Sequence, residues 1–396
     1  MEYRLKDCLE KVIDNRGKNP KYFDKEKYPV IDNVFIKNNY YINDKIVNRY
    51  INQETYNNFL RGYVEENMPI MTLVGSGIGN VGLIKNENVA IVQNTIGFKT
   101  KENLDSKYLY YWFLTKQNEL QSFNRGSGQP SIKKTDVENM EIDLPDIEIQ
   151  KKIVNILEKL DDKIYLNNQI NDNLYEILNK LYKQKYLNCE LYDEWEQLTL
   201  DDVTSKFATG LNPRKNFVLG HGNNFYVTIK NMPNNQVVLD DKCDKVDDEA
   251  IKKINKRSDL RVGDLLFSGI GTIGRTYLIK EQPTNWNISE SVFTIRANER
   301  VSPEFLYLLL LSTDMQNYAI SKASGSVQKG IRMADLKLYK LRVPDQKWMT
   351  DFTNVISPMI NKIYENIAEN NDLTQLRDTL LPKLMNGEID LDKIEI

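Results

Sequence analysis

The sequence contains little of what catalytic and metal sites usually require. It has three cysteines, Cys8, Cys189 and Cys243, without C-x-x-C spacing, and one histidine, His221, in a segment rich in Gly and Asn. One cysteine must stay unpaired, which favours a reducing compartment over a disulfide framework and argues against a structural zinc site. A lone histidine without cysteine or carboxylate neighbours predicts neither a catalytic triad nor a histidine-based metal site. We therefore expect no catalytic residues and no metal ligands.

Long apolar runs and a strong excess of one charge are also missing. The first residues, MEYRLKDCLE, lack the apolar core of a signal peptide, and no run approaches the length of a membrane span. We therefore expect a cytoplasmic protein without a membrane partner. The net charge is −3 over 396 residues, so any anion-binding surface must come from local clusters of Lys and Arg. This length suffices for about two to four domains with their own cores.

Two glycine-rich segments match G-x-G-x-x-G, at 77–82 and at 269–274. A dinucleotide site needs this turn to open a helix, but strand-like residues follow both segments. We therefore predict a glycine-rich turn between two strands in each case. A third pattern, Pro145-Asp146 followed by Asp161-Asp162-Lys163, resembles a nuclease motif but lies in a helical series, so we expect solvated helix charges there. The chain has no G-x-S-x-G or Walker A motif, and nothing predicts a self-sufficient enzyme.

The most regular feature that the sequence does contain is an amphipathic segment at 150–181. Apolar residues recur there in alternating steps of four and three, with two asparagines in the middle of the series. This spacing is typical of one face of a long helix that packs along another helix. The series is Ile153, Leu157, Leu160, Ile164, Asn167, Asn171, Leu174, Leu178 and Leu181, and we expect Ile156, Ile170 and Ile177 to widen it.

The same series returns 199 residues later in the C-terminal segment. Asn366 and Asn370 repeat the two asparagines, and only Arg377 interrupts the apolar pattern. A buried asparagine costs stability but fixes register, because it demands a polar partner opposite. We predict that the two helices pack as an antiparallel coiled coil whose register is set by Asn167, Asn171, Asn366 and Asn370. Pro358 predicts a kink or a delayed start of the second helix. The second series is Phe352, Ile356, Met359, Ile363, Asn366, Asn370, Leu373, Arg377 and Leu380.

Each long helix follows a mixed α/β region, and the two regions share one order of motifs. The glycine-rich turns correspond, as do helical patterns at 104–121 and 303–316, the segments PVIDN (29–33) and VTIKN (227–231), and Gly17 and Pro20 with Gly210 and Pro213. The chain therefore reads as a tandem duplication with an intramolecular pseudo-two-fold axis. We predict an α/β (α+β) fold with two globular domains at 1–145 and 188–344, and long helices at 146–187 and 345–396.

The candidate binding residues are basic and amide side chains in predicted loops. Arg and Lys can bind phosphates, whereas Asn, Gln and Arg can recognise base edges. The candidates in the first region are Arg125, Gln129, Ser131, Lys133 and Lys134. Those in the second region are Arg214, Lys215, Lys252, Lys253, Lys256, Arg257, Gln328, Lys329 and Arg332.

Over nearly its whole length the chain resembles the specificity subunit of type I restriction–modification systems. The resemblance lies in LLFSGIGTIGR at 265–275 with Gly263-Asp264 before it, in LPDIEIQKKI and VPDQK before the long helices, and in W-x-x-x-x-L-x-D at 195–202. The first region departs from this pattern, since it opens with EYRLKDC without a tryptophan and its glycine-rich turn lacks the preceding Gly-Asp.

The resemblance implies a non-catalytic subunit with two target-recognition domains, each reading half of a bipartite double-stranded DNA sequence, and helices that set the spacing. It implies two modification subunits that bring S-adenosylmethionine and two restriction subunits that use ATP and Mg. No cofactor would be bound by this chain. The half-sites should differ, because the loops at 49–66 and 241–258 differ. Two alternatives stay open: a coiled-coil scaffold whose domains bind proteins rather than DNA, and an enzyme that binds a nucleotide at the glycine-rich turns.

Overall fold

The computed structural model describes residues 2–126, 128–325 and 329–391. Its contacts divide the chain into two compact units. Unit 1 consists of Met1–Gln169 and Asn366–Ile396, and unit 2 consists of Ile170–Glu365. Each unit therefore combines a globular region with a segment of both long helices. The domain boundaries after residues 145, 187 and 344 stay a prediction.

The described part of unit 1 contains ten short strands. A five-stranded sheet has the order β2-β9-β6-β7-β4, a three-stranded sheet has the order β5-β3-β8, and β1 pairs with β10. The β4–β7 and β3–β8 pairs are parallel, and the others are antiparallel. The strands are β1 (Glu2–Arg4), β2 (Leu9–Asp14), β3 (Tyr28–Ile31), β4 (Asn39–Tyr41), β5 (Tyr50–Ile51), β6 (Pro69–Thr72), β7 (Val81–Leu83), β8 (Ala90–Ile91), β9 (Thr95–Thr100) and β10 (Glu141–Asp143).

One helix covers the main sheet of unit 1. The Asp105 side chain accepts hydrogen bonds from the first backbone N–H groups of α2 and so fixes where this helix begins. Phe113 of α2 is fully buried and lies 5.0 Å, between ring centroids, from Phe98 of β9. One hydrophobic cluster of unit 1 thus lies between the sheet and α2, and separate clusters include residues of β3 and β8. The helices are α1 (Gln53–Phe59), α2 (Ser106–Thr115), α3 (Gln117–Ser122), α4 (Lys134–Glu138) and α5 (Ile147–Leu181), and a π-helical turn (Tyr182–Leu187) follows α5.

Unit 2 repeats this architecture. Its sheets have the orders β12-β18-β15-β16 and β14-β13-β17, and β11 pairs with β19. The strands are β11 (Glu196–Thr199), β12 (Thr204–Thr209), β13 (Asn224–Val227), β14 (Asp244–Val246), β15 (Leu265–Ser268), β16 (Thr276–Leu278), β17 (Trp286–Ile288), β18 (Val292–Ala297) and β19 (Lys340–Val343). The helices are α6 (Asp248–Ser258), α7 (Pro303–Leu311), α8 (Thr313–Lys322), α9 (Met333–Lys337) and α10 (Gln346–Met385).

The sheets confirm the duplication in all strands but one. The order β2-β9-β6-β7 in unit 1 corresponds to β12-β18-β15-β16 in unit 2, and β5-β3-β8 corresponds to β14-β13-β17. The difference is β4, which has no counterpart in the described part of unit 2. The β1–β10 pair forms although the first region lacks the tryptophan that opens the second. The sequence motifs therefore mark a repeated fold.

The strand ends correct one pairing made from the sequence. The match of PVIDN with VTIKN predicts that Pro29 is equivalent to Val227. In the structure, Ile31 ends β3 opposite Ile91, and Val227 ends β13 opposite Ile288. Ile31 is thus equivalent to Val227, and the sequence match is displaced by two residues. A two-residue slip preserves which side chains face each side of a strand, so similarity alone does not detect it.

The start of α5 is fixed by the buried Gln150 side chain. Its Nε2 donates to the carbonyl oxygens of Asn103 and Pro145 at 3.0 and 2.9 Å, and its Oε1 accepts from the Asp105 N–H at 2.9 Å. These bonds tie the first turn of α5 to the residues that precede α2.

The widening of the apolar stripe is correct at one position and wrong at two. Ile156 packs against the core of unit 1. Ile170 and Ile177 are 42% and 43% exposed. All three lie three residues after a position of the series, on its flank. Burial on that flank depends on cover from a globular region rather than on the partner helix.

Within unit 1, α5 and α10 run antiparallel. Asp161 Oδ1 lies 2.7 Å from Arg377 Nη1, and Asn167 Nδ2 donates to Asn370 Oδ1 at 3.0 Å, so the partner's number falls as the residue number rises. Asn167 also donates to Glu369 Oε2 at 2.8 Å. Asn167 and Asn370 therefore meet as matched polar positions should, while their role in setting register stays a prediction.

Within unit 2, the same two helices are again antiparallel. Asn171 Nδ2 donates to the Ile363 carbonyl oxygen at 3.4 Å, and the Tyr186 and Trp348 ring centroids are 6.0 Å apart. Trp348 also lies 5.2 Å from the ring of Trp195, the tryptophan that opens the second region. An aromatic cluster thus joins the end of the α5 segment to the start of α10.

Asp161 is not the solvated helix charge that the sequence suggested. It is 2% exposed, and besides its ion pair with Arg377 it accepts a hydrogen bond from the Tyr111 hydroxyl at 2.8 Å. Burial raises the pKa of the Asp161 carboxyl, although Arg377 and Tyr111 both favour its ionised form. The interruption of the second apolar series at Arg377 is explained by this buried partner.

Pro358 does not delay the start of α10. The helix begins at Gln346, where the Asp345 side chain accepts from the Trp348 N–H at 2.8 Å, and it continues through Pro358 to Met385. Pro358 is exposed, and the kink that it also predicts stays a prediction. Within the described ranges, no helix combines the length and apolarity needed to span a bilayer.

Candidate nucleic-acid interface

Each glycine-rich turn joins two antiparallel strands, as predicted. In unit 1 the turn connects β6 to β7, and in unit 2 it connects β15 to β16. Gly269 is required sterically, because a Cβ there would lie 2.4 Å from Cζ of the buried Phe293 ring. Gly269 therefore allows the turn to pack closely against β18, and the helix that a dinucleotide motif would open is replaced by a strand.

The structure brings the loop candidates of unit 1 onto its glycine-rich turn. The Gly75 N–H donates to the Pro130 carbonyl oxygen at 2.9 Å, and Ser131 forms an isolated bridge with Val74. Gln129 is exposed beside them. Turn and loop thus form one surface, a connection between distant segments that the sequence did not reveal.

The basic candidates of this loop are already partly neutralised. Arg125 is 54% exposed at its side chain, and its Nη2 lies 2.9 Å from Asp136 Oδ1. Lys134 lies 3.5 Å from Glu138. Lys133 is exposed. Such surface ion pairs are weak and exchange readily, so these cations remain able to bind phosphate.

Unit 2 builds the corresponding surface from the segment that begins at Lys329. The Gly271 N–H donates to the Lys329 carbonyl oxygen at 2.8 Å, which sets Lys329 beside the second turn. Arg332 is 78% exposed and pairs with Asp335 at 2.7 Å; that carboxylate raises the pKa of Arg332. Gln328 lies outside the described residues.

The other candidates of unit 2 gather on and beside α6, so Lys252, Lys253, Lys256 and Arg257 lie on a helix and not in a loop as the sequence predicts. Phe217 and Leu219 pack against the apolar face of α6, formed by Ala250, Ile251 and Ile254. Lys253 Nζ donates to the Asn216 carbonyl oxygen at 3.1 Å, which places the loop of Arg214 and Lys215 against the helix. We call this group the α6 cluster: Arg214, Lys215, Lys252, Lys253, Lys256 and Arg257.

The positively charged side chains of the α6 cluster differ in whether a carboxylate pairs with them. Lys252 lies 3.0 Å from Glu249, one turn earlier, and that carboxylate raises the pKa of Lys252. Lys256 and Arg257 are exposed and form no ion pair with any described residue. The last turn of α6 therefore carries two positive charges that no described carboxylate compensates, and the same holds for Arg214 and Lys215 in the neighbouring loop. No hydrogen bond or ion pair within the described ranges connects this cluster to the Lys329–Arg332 surface.

Unit 1 has a basic loop that the sequence analysis missed. Gly17-Lys18-Asn19-Pro20-Lys21 repeats Gly210-Leu211-Asn212-Pro213-Arg214, so Lys21 stands where Arg214 stands in the α6 cluster. Lys18 Nζ lies 4.6 Å from the centroid of the Phe59 ring at the end of α1. The signal that could have found this loop is the shared G-x-N-P-basic pattern.

Buried and paired polar groups hold this loop in place. Asn15 is fully buried, and its Nδ2 donates to the carbonyl oxygens of Gly62 and Ile91, both at 3.0 Å. Asp14 accepts two hydrogen bonds from the Arg16 guanidinium at 2.9 and 2.6 Å. Burial opposes ionisation of Asp14, but its bonds to Arg16 lower the pKa of Asp14 below the ordinary value. The loop is therefore anchored to the ends of neighbouring strands.

A family model for the type I restriction modification DNA specificity domain matches residues 1–176 and 192–369. The chain belongs to the type I restriction–modification DNA specificity family. Each matched range contains one globular region and part of the long helix that follows it, so the family domain occurs twice and coincides with the repeat seen in the sheets.

Curated relatives agree with membership of the specificity family, and a solved structure shares the fold. The chain is 24% identical over 332 residues to the type I restriction enzyme MjaIX specificity subunit of Methanocaldococcus jannaschii, covering 77% of this chain and 76% of that one. It is 23% identical over 339 residues to the HindI specificity subunit of Haemophilus influenzae, covering 67% and 72%. The crystal structure of an S subunit from M. genitalium shares the fold, with a TM-score of 0.58, 15% identity and coverage of 97% and 95%.

Proposed function

We propose that this chain is the non-catalytic DNA-recognition subunit of a type I restriction–modification complex. Each of its two domains would read one half of a bipartite double-stranded target. The observation that carries the proposal is the duplication of the DNA specificity domain over residues 1–176 and 192–369. Two unlike readers joined by stiff helices suit two unlike half-sites at a fixed separation, as dimeric readers suit identical half-sites.

The charge distribution supports a DNA-binding role despite the net charge of −3. Positive side chains concentrate in the α6 cluster, in the loop around Lys21 and beside the two glycine-rich turns. Phosphate contacts by such clusters supply affinity and orientation, and amide side chains near them can supply base recognition. The fourteen candidate residues predicted from the sequence keep this role as part of the proposal.

The partners follow from the proposed role. Two modification subunits would bring S-adenosylmethionine, and two restriction subunits would bring ATP and Mg, while this chain would bind no cofactor itself. Such a complex would act on DNA in the cytoplasm. The chemistry of methylation and cleavage would then lie entirely on the partners, and this subunit would determine where it occurs.

Selection from randomised DNA tests the proposal. The full-length chain, co-purified with its modification subunits, is incubated with duplexes of random sequence, and the bound fraction is sequenced. We expect two short motifs separated by a fixed number of unspecified base pairs. A single continuous motif would contradict the assignment of one half-site to each domain. Absence of any enrichment would favour the coiled-coil scaffold.

A further inference from the structure

We propose that Asn19 and Gln93 form a base-reading pair in unit 1 directed at an adenine, and that Glu290 reads a cytosine from the equivalent position of unit 2. This inference rests on the proposed DNA-recognition function and deepens it, because it names side chains and the base that each would recognise. It adds three residues to the candidates found from the sequence.

The pair in unit 1 joins two loops at one edge of the unit. Gln93 follows β8, and Asn19 lies in the basic loop after β2. Gln93 Nε2 donates to Asn19 Oδ1 at 2.8 Å on an exposed surface. The buried Asn15 side chain binds the Ile91 carbonyl oxygen, so the same anchor holds both loops. Two surface amides are thus held together in a fixed orientation.

Gln93 has a positive φ, a strained backbone conformation that a glutamine side chain does not stabilise. Among the described residues, six that are not glycine have positive φ: Asn38, Asn67, Gln93, Asn234, Asn235 and Asp259. Asn and Asp tolerate this conformation comparatively well, whereas Gln gains no such relief from its longer side chain. Gln93 has φ of 54°. Strain of this kind persists where the surroundings enforce it, and it concentrates at functional sites.

The pair stands among groups that suit a nucleic acid. Lys18 and Lys21 flank Asn19 in the chain, and Arg16 is held at the start of the same loop by Asp14. These cations can bind phosphates on either side of a base contact. Asn and Gln amides can donate to and accept from the N6 and N7 edge of adenine at once. The surroundings thus supply affinity, and the amides supply discrimination.

The repeat places an acid at the matching position of unit 2. Ile91 and Ile288 end the equivalent strands β8 and β17, so Glu290 corresponds to Gln93. Glu290 Oε2 lies 3.1 Å from the Tyr226 hydroxyl, and that hydroxyl lies 2.8 Å from the Leu211 carbonyl oxygen, in the loop that carries Arg214. A carboxylate close to DNA phosphates weakens binding by repulsion unless it accepts a hydrogen bond from a base, and the N4 amino group of cytosine is such a donor.

Two reciprocal substitutions test the inference in the full-length chain with its modification subunits. Gln93→Glu should change one position of one half-site from adenine toward cytosine. Glu290→Gln should change one position of the other half-site from cytosine toward adenine. Each preference should shift by about 5- to 150-fold, the range expected for one bidentate base contact. Glu290→Gln removes a negative charge, so its effect cannot arise from repulsion of DNA.

Gln93→Gly separates a functional residue from a structural one. Glycine adopts the positive φ without strain, so this variant should unfold at the same or a higher temperature while selection at the same half-site position is lost. If the wild type selects a bipartite motif and all three variants select the same motif unchanged, this inference is overturned and the proposed function stands. Equal loss at every position, with folding intact, would also overturn it. Failure of the wild type to select any motif would instead refute the proposed function.

Discussion

At the scale of single residues, Arg377 is explained by one contact. It stands in an apolar series and is charged because Asp161, opposite it in unit 1, is buried and accepts from both Arg377 and Tyr111. The repeat has no such group in unit 2. Leu178 and Ile360 occupy the positions there that are equivalent to Arg377 and Asp161. The helix starts at Asp105 and Ser302 align Leu308 with Tyr111. Leu178, Ile360 and Leu308 are all buried. The same position of the repeated fold therefore holds a buried ion pair in unit 1 and buried apolar side chains in unit 2.

Loss of Arg377 alone should be costly. Arg377→Leu leaves the Asp161 carboxylate buried without its cation, and breaking such a pair costs about 3–5 kcal/mol. We expect this decrease in the free energy of unfolding, measured by urea denaturation of the full-length chain.

The matched control for Arg377→Leu copies unit 2. The triple variant Tyr111→Leu, Asp161→Ile and Arg377→Leu removes all three polar groups together and should be neutral, or more stable by about 1–4 kcal/mol. Equal destabilisation by the single and the triple variant would contradict this account of the ion pair.

Gly269 offers a second test at this scale. Gly269→Ala forces a Cβ to within 2.4 Å of the buried Phe293 ring, so we expect a loss of about 1–3 kcal/mol, typical of overpacking. Gly128→Ala is the control, because a Cβ there meets nothing within 4 Å. Thermal unfolding of both variants distinguishes the outcomes, and an equal shift would show that the glycine-rich turn tolerates side chains.

At the scale of elements, α6 shows where the two units diverge. Its apolar face packs on the loop of Phe217, while its outer face carries four basic residues. The corresponding helix of unit 1, α1, has the sequence QETYNNF without a basic residue. Unit 1 supplies its cations from the loop around Lys21 instead. The same position in the fold therefore presents different chemistry to a ligand in each unit.

Lys256 and Arg257, at the end of α6, should make the largest electrostatic contribution of this helix to DNA binding. Replacing Lys256 and Arg257 by Gln should weaken DNA binding and reduce the slope of log K against log salt by about 1.8, if both neutralise phosphates. Lys252→Gln is the control. It removes one positive charge instead of two, so its effect on the slope should be at most half as large. Fluorescence anisotropy over a salt series measures the slopes of the wild type, the double variant and the control. Identical slopes would show that α6 does not bind DNA phosphates.

The sequence predicted elements well where one periodicity or one residue type decides the structure. The steps of four and three predicted both long helices, and the glycines predicted both hairpin turns. Contacts between distant segments were not predictable in this way. The Asn15 anchor and the Asp161–Arg377 pair each join residues at least 46 positions apart, and no local pattern encodes such a partner. The loop of Lys18 was missed because its cations are dispersed among polar residues.

At the scale of the whole molecule, neither half of the chain contains a complete unit. Unit 1 needs Met1–Gln169 and Asn366–Ile396, and unit 2 needs Ile170–Glu365, so a cut after residue 187 divides both. Each fragment would retain a globular region and one long helix whose apolar face lacks its partner. The stability of each unit therefore depends on pairing between the first and second halves of the sequence.

Fragments 1–187 and 188–396, expressed together, should form a 1:1 assembly. The repeat also permits a competing pair of first fragments, in which α5 takes the place of α10. That pair would place Leu178 where Arg377 stands and leave Asp161 buried without a cation, at a cost of about 3–5 kcal/mol. Native mass spectrometry of differently tagged fragments should therefore find the mixed pair in excess. Asp161→Ile should raise the share of the pair of first fragments, and an unchanged share would show that this ion pair does not select the partner.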